Sequence, residues 1–220
     1  MERKTSTREK LWKKNRDHRT IRQQFQQMGQ TKNLVKISLL GALSFLIMQV
    51  FRFPFPFAPG FMTADFGDVP GLLGGFALGP VAGMLIQLIK NLLKLFTSST
   101  FGIGEVSNFI VGTVFVVVAA VYYQRHKTRR GAIVAMVMGS FFMAAIALCS
   151  NAFFIFPAYA KASGLDLNTM AQAVGKMNPL VKDFPTMLFF AIVPFNLVKA
   201  ALECLVTFLL YKRVSPLLHE

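Results

Sequence analysis

The chain has 220 residues, 54% of them apolar, with 23 phenylalanines and a single tryptophan. A soluble domain of that size could not hide so many large apolar side chains, so a membrane protein is expected. Lysine and arginine outnumber the acids 24 to 10, giving +14, but the surplus gathers at the chain ends and one loop, as in cytoplasmic segments of membrane proteins rather than a nucleic-acid surface.

Residues 1–32 form a basic, polar tail. The apolar run begins only near Asn33 and no small-residue cleavage site follows it, so the first run is read as a retained helix rather than a secretory signal. The tail is then a cytoplasmic anchor that touches anionic lipid. Leu34 to Phe53 is the first span, ended by the Pro-rich FPFPFAPG. Val69 to Leu78 is short and glycine-rich, closed by Gly79-Pro80, which breaks the helix and turns the chain. Pro80 to Phe96, Ile103 to Tyr123, Gly131 to Phe156 and Pro185 to Tyr211 complete six apolar elements; a crossing takes roughly 20 residues. The basic groups at the N-terminus, at 124–130 and at 211–213 then share one side, which the positive-inside rule assigns to the cytoplasm. The expected fold is an all-α integral membrane protein of six transmembrane helices, the second short, with both termini cytoplasmic. Residues 33–213 form the membrane domain and 214–220 a short cytoplasmic end. The loops near 54–68, 97–102 and 157–184 lie outside and hold most of the remaining acids. In the longest, Asp166 or Asn168 caps a helical patch of Met170, Ala173, Val174 and Met177; it is either a lid across the outer mouth or a plain surface loop.

The intramembrane polar residues converge. Gln87, Lys90, Asn91 and Lys94 follow i, i+3, i+4, i+7 spacing and share one face of the third helix. Glu105 and Asn108 open the fourth, Asn151 lies near the outer end of the fifth, and Asn196, Lys199 and Glu203 share a face of the sixth. Such groups are costly in lipid, so they face a protein interior or a water-filled cavity. Each also has a plain structural reading. Lys94 snorkels to the outer interface; Glu105 caps its helix or pairs with a lysine; Glu203 neutralises Lys199 one turn away; Asn151 and Asn196 join helices by hydrogen bonds. Ser38 with Ala42, and Gly79 with Gly83, are small-xxx-small pairs for close helix contact.

No phosphate loop, zinc-protease motif or nucleophile elbow is present. Cys149 and Cys204 read as small buried hydrophobes, and His18, His126 and His219 lie in basic segments. A polar solute handled by a non-enzyme is the reading these residues favour, with an intramembrane enzyme or a structural scaffold as alternatives.

The segments D-x-P-G-L-L-G-G-F-x-L-G-P at 68–80, I-K-N-L-L at 89–93, G-I-G-E-x-x-N-F at 102–109 and P-F-N-L-x-K at 194–199 resemble the riboflavin-specific S component of energy-coupling factor (ECF) transporters, over about 34–213. The resemblance implies a substrate-binding subunit in a bacterial-type plasma membrane. It would capture riboflavin from outside and join a transmembrane coupling subunit and two ATPases, with no cofactor of its own. It assigns ligand contacts to Asn196, Lys199 and Asn151, an amide to Gln87, a loop contact to Thr63 and coupling-subunit docking to Ser38 and Ala42. Asn91 on the third helix and Asn108 on the fourth, which the polar pattern turns toward the same place, are further candidate substrate contacts. An S component for another vitamin or small polar solute remains the alternative. A flat ring with carbonyl edges needs amides, a cationic donor and an apolar wall, for which Phe61, Phe66, Phe153 and Phe154 are candidates.

Overall fold

The computed structural model describes residues 31–55, 58–59 and 62–219, the last eight by backbone alone. The basic tail over 1–30, with His18, and the wall candidate Phe61 therefore lie outside the described residues. The elements are helix α1 (Thr31–Val50), strands β1 (Phe53–Pro54) and β2 (Thr63–Ala64), helices α2 (Val69–Leu78), α3 (Pro80–Leu95), α4 (Ile103–Arg125) and α5 (Arg129–Ser150), a π-turn (Asn151–Ile155), α6 (Phe156–Ser163), α7 (Leu167–Gly175), α8 (Phe184–Met187), a second π-turn (Leu188–Ile192) and α9 (Val193–His219). The two strands pair antiparallel, Phe53 opposite Ala64 and Pro54 opposite Thr63. Helix α9 runs through 214–219, where the sequence suggested only a short cytoplasmic end.

Four stretches among the described residues are long and apolar enough to cross a membrane: Thr31–Val50, Ile103–Arg125, Arg129–Ser163 and Phe184–Tyr211. Helix α2 has 10 residues, about 15 Å at 1.5 Å per residue, half of a bilayer's hydrocarbon core. It survives because protein surrounds it. Helices α1, α3, α4 and α9 all pack on α2, and every residue from Val69 to Phe76 is buried. Pro70 sits in its first turn, where no amide donor is required. Gly79 ends it at φ 109°, a conformation that side chains disfavour. Beyond it α3 approaches so closely that a Cβ on Gly83 would lie 2.5 Å from Val116 Cγ1 and 3.2 Å from Gly75 Cα.

The dry core lies between α2, α4, α5 and α9. Leu72, Phe76, Phe115, Val116, Met136 and Met143 fill it, and Ala119, Ala120, Ala132, Ala135 and Ala147 set the close spacing. At the end holding the α4–α5 turn, the hydroxyls of Tyr123 and Tyr211 meet under the ring of Phe76, and Gln124 Nε2 donates to the Phe76 carbonyl at 3.0 Å. Thr128 caps α5 by accepting from the Gly131 amide at 2.9 Å. The outside of the bundle is apolar, with Leu39, Phe141, Phe153 and Phe154 each about 70% exposed.

The Arg129–Ser163 and Phe184–Tyr211 stretches are each interrupted by a π-turn, and each π-turn ends two residues before a proline, Pro157 or Pro194. Proline has no N–H for the carbonyl four residues back. For Pro194 that carbonyl is Phe190, and Asn178 Nδ2 donates to it at 2.9 Å. Asn178 comes from the long 157–184 connection, which the structure packs down instead of draping across an opening. Asp166 caps α7, accepting from the Asn168 amide at 2.9 Å. The face that α7 buries is Met170, Ala171 and Val174, against Phe156, Met187, Leu188 and Ile192, whereas Ala173 and Met177 are exposed. Asp183 and Thr186 form a reciprocal capping box on α8. Hydrogen bonds from the Thr186 hydroxyl and amide hold the exposed Asp183 carboxyl below its ordinary range. Both cysteines are free; Cys204 is half-buried, but Cys149 is exposed on the outer surface, contrary to the buried role expected of it.

Candidate functional site

A cavity opens at the end of the bundle where the β-hairpin and the α3–α4 turn meet. It encloses about 840 Å³ of empty space, its mouth included. The hairpin brings Thr63 and Asp65, α1 contributes Met48, and Arg52 follows it. Helix α4 supplies Glu105 and Asn108, α5 and the π-turn after it supply Met143, Asn151 and Ile155, and α9 supplies Phe195, Asn196 and Lys199. Among the described residues the wall is methionine-rich, with one ring, Phe195, held edge-on by Phe55 at a centroid distance of 5.4 Å. Phe66 does not line the cavity, and Phe153 and Phe154 face outward, 74% and 70% exposed. Counting phenylalanines could not separate Phe195, which faces the cavity, from those on the outside of the bundle.

Two cavity amides stand beside the π-turns. Asn151 opens the first and Asn196 sits one turn beyond the second. Each donates from Nδ2 to a carbonyl on its own helix, Asn151 to Ala147 and Asn196 to Ile192, both at 2.8 Å. An extra residue per turn rotates the following face, which is why such turns recur at sites that must aim a side chain.

Of the residues singled out from sequence, Thr63, Asn108, Asn151, Asn196 and Lys199 come together around the cavity, while Gln87 and Asn91 do not line it. Those two are buried beneath it; Asn91 Nδ2 donates to the Gln87 carbonyl at 2.8 Å. Ser38 is exposed and Ala42 half-buried on the outer face of α1, away from the cavity.

The floor of the cavity is ionic. Lys199 Nζ lies 3.3 Å from Asp65 Oδ2 and 3.2 Å from Asp68 Oδ2, and donates to Asn108 Oδ1 at 3.4 Å. Glu203, expected as its partner, is farther away at 3.8 Å. Lys90 pairs with Asp68. Asp65 is folded inward, its Oδ1 accepting from the Gly67 amide at 2.7 Å, and Ser44 of α1 pins the same turn by donating to the Gly67 carbonyl at 2.8 Å. Asp65 and Asp68, assigned from sequence to an outer loop, are thus 4% and 0% exposed. The signal that finds them is charge accounting: two deep lysines on separate helices need more acid than Glu203 alone.

Two other expectations change. Lys94 does not snorkel; it is 5% exposed and donates to Gln49 Oε1 at 3.1 Å and to Thr97. Glu105 accepts hydroxyls instead, from Ser98 at 2.8 Å and Thr100 at 2.9 Å. These bonds draw the α3–α4 turn tight at the cavity rim.

The arrangement offers amide donors and acceptors, the ammoniums of Lys94 and Lys199, and a soft apolar wall in a half-enclosed space. Comparison with known proteins gives a consistent picture. The family described as ECF transporter, substrate-specific component, matches residues 32–211. Riboflavin transporter RibU of Staphylococcus aureus (strain TCH60) is 31% identical over 193 residues, 88% of this chain and 95% of that protein. Riboflavin transporter FmnP of Bacillus subtilis (strain 168) is 28% identical, covering 86% and 95%. A solved structure of the S component of a bacterial ECF transporter superposes with a TM-score of 0.68 at 30% identity, over 87% of this chain and 99% of the other.

Proposed function

Because the chain belongs to the family of substrate-specific components of ECF transporters, we propose that it binds riboflavin in the cavity between the hairpin, α4, the fifth span and α9. As a member of that family it is a multi-pass protein of the bacterial plasma membrane and a transport component rather than an enzyme. Its relatives carry the name riboflavin transporter, and the cavity chemistry agrees with such a ligand. The observation that carries the reading is the meeting of Asn108, Asn151, Asn196 and Lys199 in one methionine- and phenylalanine-walled space. Riboflavin is uncharged, with a flat ring whose edge carries carbonyls and nitrogens, and a polyhydroxyl chain. Amides and the Lys199 ammonium match the ring edge, an apolar wall matches its faces, and Thr63 suits a hydroxyl. Gln87 and Asn91 act one layer below, supporting the floor.

The membrane arrangement belongs to the same proposal. Six spans, with α2 short and protein-enclosed and α3 of 16 residues, place both termini and the basic 124–130 loop in the cytoplasm, so the cavity opens outward. The tail over 1–32 stays cytoplasmic. The exposed face of α1 around Ser38 and Ala42, small residues flanked by Val35 and Leu39 at 59% and 70% exposure, docks the coupling subunit; ATP is hydrolysed on separate partner subunits.

Fluorescence titration of the purified protein tests the ligand: riboflavin emission is quenched on binding at micromolar concentration or below. No quenching at micromolar riboflavin would overturn the assignment, and competition with other vitamins would identify a different cargo.

A further inference from the structure

The ionic floor does not balance. It contains three carboxylates, Asp65, Asp68 and Glu203, and two ammoniums, Lys90 and Lys199, none more than 5% exposed. Asp65 and Asp68 each contact an ammonium directly. Glu203 is served worst. Its Oε1 accepts from the Asp68 backbone amide at 3.3 Å and stands 3.8 Å from Lys199, and its Oε2 has no hydrogen-bond partner. The Thr207 hydroxyl one turn along and both amide atoms of Gln87, all on fully buried side chains, are also without hydrogen-bond partners. With all five groups ionised the cluster would carry one negative charge in excess, and among the described residues the only ammonium within 4 Å of Glu203 is that of Lys199, at 3.8 Å. An unpaired buried charge is among the costliest arrangements a fold can hold, more so at membrane depth.

We propose that Glu203 is a proton-binding site: in the ligand-free protein at neutral pH its carboxyl carries one proton. The cluster is then neutral, two carboxylates against two ammoniums. Glu203 Oε2 becomes a donor, and its repulsion from the neighbouring Asp68 disappears. The groups that meet Glu203 come from every side: Asp65 and Asp68 from the segment before α2, Lys90 from α3, and Lys199 from its own helix, while α4 adds only the neutral Asn108 on Lys199. A neutral Glu203 leaves Lys199 held toward Asn108 and the cavity instead of being drawn one turn down α9. Glu203 is thus a positioning residue for Lys199, whatever that cavity binds. A monovalent cation held between the same carboxylates is the competing occupant.

Infrared difference spectroscopy on the purified, ligand-free protein separates these. A carbonyl-stretch band of a protonated carboxyl is expected at neutral pH in sodium-free buffer. It shifts on deuterium exchange, is unaffected by added sodium and is lost in Glu203→Gln. Since glutamine is a neutral isostere of the protonated acid, Glu203→Gln is expected to fold and to melt within a few degrees of the parent. Absence of the band, its survival in Glu203→Gln, its suppression by sodium, or failure of Glu203→Gln to fold would each overturn the proposal. None of these outcomes bears on which vitamin is bound.

Discussion

The two ends of this bundle are held together by opposite means. Around Phe115, Val116, Ala119 and Ala135 the helices touch through small residues and methyl groups, and no charge enters. Around Asp65, Asp68, Lys90 and Lys199, helices only 10 to 27 residues long meet through full charges that are themselves removed from water. The first end depends on shape, where one added methyl is felt. The second depends on a count of charges, where one removed group leaves its partners stranded. Helix α3 links the two: Gly83 packs against Val116, and Gln87, Lys90, Asn91 and Lys94 continue the same buried face toward the cavity.

Removing a central charge should be the most damaging change. Asp68→Ala strands Lys90 and weakens the hold on Lys199, and a loss of about 3–5 kcal/mol of stability is expected, read as a collapse of the thermal midpoint in detergent. A midpoint unchanged by that substitution would mean that the ionic end contributes little. Gly83→Val tests the dry end, pushing a Cβ into Val116 and toward Gly75; about 1–3 kcal/mol is expected, and a temperature scan decides it. Asn151→Ala and Asn196→Ala each remove a cavity amide whose other bonds are local. Stability should barely move, while riboflavin affinity should fall about fivefold, near 1 kcal/mol each. Equal losses in stability and affinity would make these amides helix braces instead of ligand contacts.

The smallest effect belongs to a site at neither end, the α8 capping box. Thr186 lowers the Asp183 carboxyl below its ordinary 3.8. The carboxylate's stabilisation is therefore present above that value and is lost as pH falls through the lowered one. Asp183→Ala should lower the midpoint slightly at neutral pH, and the difference should vanish in strong acid. A difference that persisted there would assign the cap to something other than the carboxylate.

Much of the polar end could be read from sequence because helical spacing is local. Gln87, Lys90, Asn91 and Lys94 announce a buried stripe by their positions alone, and all four are buried. Asn151, Asn196 and Lys199 stand out as polar residues within apolar runs. Partners were harder. Asp68 joins a lysine 22 residues ahead and another 131 ahead, and no periodicity encodes such pairings. The acids looked like loop residues because the turn at Gly67 that folds them inward is made by tertiary contacts from Ser44. The π-turns were equally hidden, although their shared offset from Pro157 and Pro194 was in plain view. The elements that most resisted reading were the short ones, since α2 is stable only inside four neighbours.

The pinned amides of Asn151 and Asn196 have a further consequence. Each has committed one N–H to its own helix, so its rotation is already frozen and its carbonyl oxygen has a fixed heading before any guest arrives. Little side-chain entropy is left to lose on filling. Such a socket discriminates by pattern rather than by adapting: a molecule with donor and acceptor interchanged along its edge meets lone pair against lone pair, and neither amide can turn over without breaking its tether.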